Sequence, residues 1–186
     1  FYQHWRKDEG VQQAMQQQQR GQRQQEIQTL QQILAIAQQL KEKRIEAIAL
    51  NNIGLAYDSI SQPQSALKYF NQALPIVRAV GDRMGEATTL TNTGRVYDRI
   101  SQPQEALKYY NQALPIWREV GDRAREALTL NNIGAVYDSI SQPQEALKYY
   151  NQALLISRQV GDSRQEALTL TNIGVLYNRI SQPQSA

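Results

Sequence analysis

Apolar residues along this chain return at intervals of three and four. The stretch Glu126-Ala-Leu-Thr-Leu-Asn-Asn-Ile-Gly-Ala-Val-Tyr137 places Leu130, Ile133, Val136 and Tyr137 at helical spacing. A second stretch, Glu145-Ala-Leu-Lys-Tyr-Tyr-Asn-Gln-Ala-Leu154, does the same with Ala146, Leu147, Tyr150, Ala153 and Leu154. Such spacing gathers side chains on one helical face, whereas strict alternation, the mark of a strand, is missing from both. Punctuation separates the two stretches. Ser141 followed by Gln144 spells a capping box, and Pro143 is tolerated in a first turn whose N–H groups lack intrahelical partners. Gly121 suits a left-handed C-terminal cap and Asp122 the N-cap of the helix that follows. The pattern predicts helix, tight turn, helix, tight turn.

The pattern repeats. Ser-Gln-Pro-Gln recurs at Ser61, Ser101, Ser141 and Ser181, each 40 residues after the last, and 29 of 40 residues are identical between neighbouring complete units. Gly81-Asp82 and Gly161-Asp162 repeat the corner at Gly121-Asp122. A fixed period without insertions means that each unit is one structural element stacked on its copies. Two irregularities carry expectations. Pro75 and Pro115 fall inside second helices where Leu155 stands in the third, so a bend or early end is expected near each proline. Lys41-Glu42 replaces the Gly-Asp corner and is expected to be capped differently.

Residues 1–21 fit the period weakly, with Ala14 where a repeat glycine would stand and Gln17 where a tyrosine would. Gly21-Gln22 then takes the place of Ser61-Gln62, and Ile27, Leu30, Ile33 and Leu34 continue as a second helix. Val11, Ala14 and Met15 keep helical spacing, so residues 1–21 are read as a degenerate first helix or N-terminal cap and residues 22–186 as the array. A disordered glutamine tract is the alternative, because 15 of the 28 glutamines lie within residues 1–40. The sequence starts at Phe1 rather than Met and stops at Ser185-Ala186, part-way through a unit, so it reads as a fragment. An apolar face of Ile173, Leu176 and Tyr177 is then expected to lie open after the helix ending near Ile180.

Within each unit a small-and-large signature recurs, in the third as Leu130, Ile133, Gly134, Tyr137, Ala146, Tyr150 and Ala153. It resembles the tetratricopeptide repeat, W-x2-L-G-x2-Y followed by A-x3-F and a further alanine. The unit is longer than the ordinary one and ends on Gly-Asp rather than proline. It looks like the 40-residue class of kinesin light chains, Leu-Gly-Asn-repeat adaptors and bacterial arrays joined to CHAT peptidase domains. Glu119-Val-Gly-Asp-Arg123 with Leu130-Asn-Asn-Ile-Gly134 looks most like the bacterial members. The resemblance implies an all-α fold, a right-handed superhelical solenoid of antiparallel helix pairs. Gly134 and Ala146 would then lie where helices cross closely, so Gly134→Leu is expected to overpack.

Composition narrows the chemistry. With no cysteine there is no disulfide, thiolate nucleophile or Cys-type metal site, and the one histidine, His4, cannot build a multi-histidine site or a triad. A net charge of +3 is too dilute to argue for nucleic acid or an anionic membrane, and no apolar run is long enough to span one. Neither composition nor spacing fixes a compartment, and the cytoplasm is the expected one. No cofactor, metal or catalytic residue is expected. The Ser-Gln-Pro-Gln serines have no neighbouring base and are explained by capping.

The resemblance places ligand contacts on the concave face lined by first helices. Carried over, these are Asn51, Asn52, Leu55, Asp58 and Ser59, then Thr91, Asn92, Arg95, Asp98 and Arg99. The later units contribute Asn131, Asn132, Ala135, Asp138 and Ser139, then Thr171, Asn172, Val175, Asn178 and Arg179. An asparagine recurs at 52, 92, 132 and 172, and such a ladder of amides could grip an extended peptide backbone. Solvated amides, or amides bonded to a neighbouring helix, are the other reading. Arg95 and Arg99 could hold a carboxylate or phosphate or pair with Asp98 or Asp58. Leu55 and Ala135 disfavour a C-terminal-carboxylate clamp. The expected function is a non-enzymatic scaffold binding a protein or peptide in its groove. The alternatives are a subunit stacking head to tail through open solenoid ends, or a regulatory arm of a larger enzyme such as a CHAT peptidase.

Overall fold

The structure, a computed structural model, describes residues 2–181, with side chains at position 18 and from position 20 onward. His4, Val11, Ala14 and Met15 fall outside the described side chains. Among the described residues every regular element is a helix: α1 Tyr2–Gln39, α2 Lys43–Ser59, α3 Pro63–Ala79, α4 Arg83–Arg99, α5 Pro103–Val120, α6 Arg123–Ser139, α7 Pro143–Val160 and α8 Ser163–Ser181. Below, α2, α4, α6 and α8 are first helices and α3, α5 and α7 second helices. The chain divides into two compact units, Phe1–Ile76 and Val77–Ala186, the division falling within α3.

The predicted small-and-large crossing recurs in both units. In the first, Gly54 of α2 faces the Phe70 ring of α3, and a Cβ at Gly54 would stand 2.5 Å from it. In the second, Cβ atoms at Gly94 and Gly134 would stand 2.8 and 2.7 Å from Tyr110 and Tyr150. Each ring is buried against the backbone that glycine exposes, and burying a large apolar side chain contributes about 1.5–3 kcal/mol. Beside each crossing one more tyrosine pair stacks, Tyr57–Tyr69, Tyr97–Tyr109 and Tyr137–Tyr149, with ring centroids 5.4, 5.3 and 5.4 Å apart. In the second unit α6 is enclosed, its Leu130, Ile133 and Val136 sharing one core with Leu107, Tyr110 and Leu114 of α5 and Ile156 of α7. Buried Thr89, Thr93, Thr129 and Thr169 each donate their hydroxyl to the carbonyl four residues earlier, which leaves none of the four unpaired.

Three expectations need correction. The helix runs through Gly21 without a turn, because Arg23 stands where Pro63 opens α3 and nothing punctuates the chain there. The helices also continue through Pro75 and Pro115, so the early end expected at each proline does not occur. α5 closes at Val120, the register at which α7 closes at Val160, and α3 reaches Ala79. Both prolines lie on the exposed side, as do Asn71 and Asn111 four residues earlier, so the carbonyls they release face water. The buried flank of Ala113, Leu114, Ile116 and Trp117 holds the helix together.

The third correction concerns Ser141. The N-cap of α7 is Gln142, which makes no side-chain cap bond, and Ser141 adopts a left-handed φ of 59°. Pro143 occupies the first helical position, so the N-cap falls on the residue before it. Ser141 becomes instead the closing residue of α6. Its N–H donates to the carbonyl of Asp138 at 3.1 Å, and that of Gln142 donates to Tyr137 at 2.9 Å, a Schellman motif. Ser61 and Ser101 share the conformation, with φ of 59° and 58°. At the other corner Gly81, Gly121 and Gly161 have φ of 69°, 74° and 71°, as the sequence predicts. Asp82, Asp122 and Asp162 cap the next helix, accepting from the N–H of Gly85, Arg125 and Gln165 at 2.8, 3.0 and 2.9 Å. Lys41 takes the same left-handed turn at φ 60°, while Glu42 makes no side-chain cap bond, so this corner keeps the turn and differs at its N-cap.

Candidate partner-binding face

First helices pack side by side in the second unit, α4 against α6 and α6 against α8, which brings the predicted contact positions of successive repeats together. Their side chains are largely spoken for by one another. Asn172 Nδ2 donates to Oδ1 of the buried Asn131 at 3.1 Å. Arg179 pairs with the Asp138 carboxylate and donates to its backbone carbonyl at 3.3 Å. Thr91 accepts from Trp117 Nε1 at 3.1 Å, and Thr88 accepts from Arg125 Nη1 at 2.9 Å. Arg125 also lies over the Trp117 ring, 5.0 Å from its centroid.

For Asn131 and Asn172, then, the neighbouring-helix reading describes the bond that forms. The amide of Asn172 keeps a carbonyl and a second N–H for other use. Asn132 is half-buried on α6 and Asn92 on α4, and Arg95 and Arg99 are exposed on α4. In the first unit Asn51 is half-buried and Asn52 exposed on α2. Ser59 and Ser139 are exposed but donate back to the carbonyls of Ala56 and Val136 at 2.7 Å each. Asp98 is half-buried, and burial raises its carboxyl above the ordinary range. Burial, with the Asp98 charge nearby, pushes the Tyr150 hydroxyl up to about 12.

Two sets of residues escaped sequence reasoning. Leu128 and Leu168 occupy the same position on α6 and α8 and are 39% and 46% exposed, on the helix face that carries the asparagines. Ile48 holds the same position on α2 and is exposed too, so the column carried a signal in the sequence that Thr88 interrupts once. The second set is a charge clip at each Gly-Asp corner. Glu86 and Glu126 are buried, and each is gripped by two arginines. Arg78 and Arg118 reach them from the preceding second helix at 2.7 and 2.8 Å, and Arg83 and Arg123 from the start of the same helix. Glu46 is held by Lys43 and Gln38 instead, and Glu166 by Arg158 alone, Ser163 replacing the second arginine. Arg83 also forms two hydrogen bonds to Glu119, at 2.6 and 3.2 Å, which lower the Glu119 pKa.

In the first unit an open cleft of about 830 Å³ lies between Arg20, Arg23 and Glu26 of α1 and Ser59, Ile60 and Ser61 at the end of α2. Arg23 pairs with Glu26 across one turn at 2.5 Å. Among the described residues no group of three His, Asp or Glu side chains could hold a metal, and no helix is long and apolar enough to cross a membrane.

Paired helices joined by two alternating corners, with a glycine at each crossing and a face of amides, define a helical-repeat protein whose surfaces are organised for contact. The chain belongs to the tetratricopeptide repeat family, whose model matches residues 11–79, 66–119, 85–156 and 125–186. The family supplies protein-interaction scaffolds, and this chain is one in that general sense. No curated protein sequence matches it. Among solved structures it is similar to a kinesin-light-chain-like protein of Podosopora anserina with nearly identical TPR-like repeats. The identity is 19%, coverage is 97% of this chain and 88% of that one, and the TM-score is 0.73. It is similar also to BtubC of P. vanneervenii, at 17% identity, 91% and 80% coverage and a TM-score of 0.69. A signal-transduction ATPase from Pyrococcus horikoshii with a tetratricopeptide repeat sensor matches at 20% identity and a TM-score of 0.68. That match covers 74% of this chain and 22% of the Pyrococcus protein. These likenesses are likenesses of fold.

Proposed function

We propose that the chain holds an extended segment of a protein partner along the first-helix face of α6 and α8. The observation that supports this reading is the exposed pair Leu128 and Leu168, set at one position of two adjacent helices beside Asn132 and Asn172. Leucines that the chain leaves in water, next to amides with donors and an acceptor to spare, suit a peptide that offers apolar side chains and backbone groups together. The Asn131–Asn172 and Arg179–Asp138 bonds fix the spacing of the two helices, and a preset spacing lowers the ordering cost of binding. Arg179, already committed to Asp138, serves this face as a brace rather than as an anion receptor.

The test is selection of binding peptides from a random display library against the whole chain, followed by titration into variants. Leu128→Asp and Asn132→Ala are expected to weaken selected peptides about ten-fold or more, roughly the 1.4 kcal/mol of one contact, with unchanged helicity. Selected peptides that bind both variants as tightly as the parent would place the binding surface elsewhere.

A further inference from the structure

Each serine corner carries a pair of tyrosines stacked across it. Tyr57, Tyr97 and Tyr137 stand near the ends of first helices. Their carbonyls accept the corner's own bonds, from the N–H of Gln62, Gln102 and Gln142 at 3.0, 2.9 and 2.9 Å. Their partners Tyr69, Tyr109 and Tyr149 follow 12 residues later, in the next helix. The paired rings lie within 12°, 12° and 9° of parallel, with centroids 5.3 to 5.4 Å apart, an offset stack. All six tyrosines are half-buried. The hydroxyl ends meet as well. Burial first, and then the neighbouring hydroxyl, raise Tyr57, Tyr97 and Tyr137 above the ordinary phenol range. Stacking alone does not need those hydroxyls. Phe70 fills a glycine notch as Tyr110 and Tyr150 do, yet the stacked positions hold tyrosine in all six places.

We propose that these pairs are sites of oxidative cross-linking, the two rings of each joining carbon to carbon as dityrosine when the chain meets a one-electron oxidant such as a ferryl haem or a ruthenium(III) complex. Each phenol gives one electron to the oxidant and one proton to water. The two phenoxyl radicals then couple between ring carbons beside the hydroxyls. Each coupled carbon loses its proton while the ring oxygen regains one, which restores both phenols. Two equivalents of oxidant are thus reduced by one electron each, and two protons leave, for every link. The coupling carbons flank the hydroxyls, so a stack that sets hydroxyl beside hydroxyl also gathers those carbons. Such positioning replaces the chance encounter of two radicals. Both rings are held in place. The corner bond fixes the first, and Phe70, Tyr110 and Tyr150, each next in sequence to the second, are locked in the notches at Gly54, Gly94 and Gly134. The link falls where the fold ties itself least, since the N-caps Gln102 and Gln142 make no side-chain cap bond. A covalent bridge there ties the two helices together and restricts the unfolded chain.

The experiment oxidises the whole chain at low concentration with photogenerated tris(bipyridyl)ruthenium(III) and persulfate, followed by trypsin digestion and mass spectrometry. Trypsin cuts after Lys68, Lys108 and Lys148, which separates the two tyrosines of every pair. Each link therefore appears as two joined peptides, together lighter by two hydrogens. Joined peptides carrying Tyr57 with Tyr69, Tyr97 with Tyr109 and Tyr137 with Tyr149 are expected. Dityrosine fluorescence and a raised melting temperature should accompany them. The combined variant Tyr69→Phe, Tyr109→Phe, Tyr149→Phe keeps the rings and removes one radical of each pair. It should fold as the parent does, form none of the three links and gain nothing in melting temperature. The parent oxidised in concentrated urea should yield the three links at least about ten-fold less. Equal yield in urea overturns the proposal, because spacing along the chain rather than the stack would then choose the partners. Links that run only between molecules, for instance through the exposed Tyr177, overturn it as well. So does tyrosine oxidation that leaves no joined peptides.

Discussion

The two corners of the repeat make the same turn by different means. Both close the outgoing helix with a Schellman motif and enter the next helix after a single intervening residue. Gly121 reaches its φ of 74° freely, whereas Ser101 is held at 58°, a region that an L-residue occupies at a penalty of about 1–2 kcal/mol. The glycine corner is then reinforced twice, by the Asp122 cap and by the clip of Glu126 between Arg118 and Arg123. The serine corner has neither, and relies on Pro103 to preset the first turn of α5 and on packing across the glycine crossing. Identical hydrogen bonds thus do not mean identical stability. The glycine corner is specified locally and the serine corner by the helices it joins.

Substitutions can break this contrast in descending order of effect. Removing both Arg118 and Arg123 leaves Glu126 buried without compensation and should destabilise the chain by about 3–5 kcal/mol in chemical denaturation. Glu126→Ala strands only arginines that are half exposed and can hydrate, so its loss should be nearer the 1.5–3 kcal/mol of hydrogen bonds to a charged group. A result in which the glutamate variant is the more damaging of the two would mean that the clip acts through packing rather than charge. Gly121→Ala should lower stability by about 1–2 kcal/mol through the left-handed φ, and Asp122→Ala by about 1 kcal/mol. Ser101→Gly should do the reverse. Relief of the left-handed strain outweighs the added freedom of the unfolded chain, for a net gain of up to about 1 kcal/mol and a higher melting temperature. A neutral or destabilising Ser101→Gly would show that the serine corner carries no strain.

Much of this was legible beforehand. The glycine corner could be read because Gly-Asp has one natural use between two helices, and the crossing could be read because glycine recurs at a fixed distance from a ring. At Ser141 the pattern Ser-x-x-Gln spells a capping box, yet Pro143 sets the N-cap one residue later. Pro75 and Pro115 do not end their helices because an exposed proline removes a bond that water replaces, and buried neighbours outweigh the rest. The clip was harder to see. Arg118 and Glu126 are eight residues apart across a turn, a spacing with no meaning inside a helix, and they meet only once the corner folds. On the candidate face a recurring asparagine looks the same whether it points to a partner or to the next helix. The family resemblance sets Asn131 and Asn172 among the candidate contacts, and the fold joins them by a hydrogen bond that no sequence pattern announces.

The near-constancy of the corners has a consequence for how such a chain can change length. Three serine corners repeat within one degree of φ and three glycine corners within five, so a cut at one corner is conformationally equivalent to a cut at the next. A 40-residue unit could be spliced in or out without inventing a turn, and the array would grow or shrink in whole steps. What would register the edit most strongly is the buried position at Val77, Trp117 and Ser157, where residues of very different size occupy one slot. The turns are interchangeable; the packing beneath them is where the units differ.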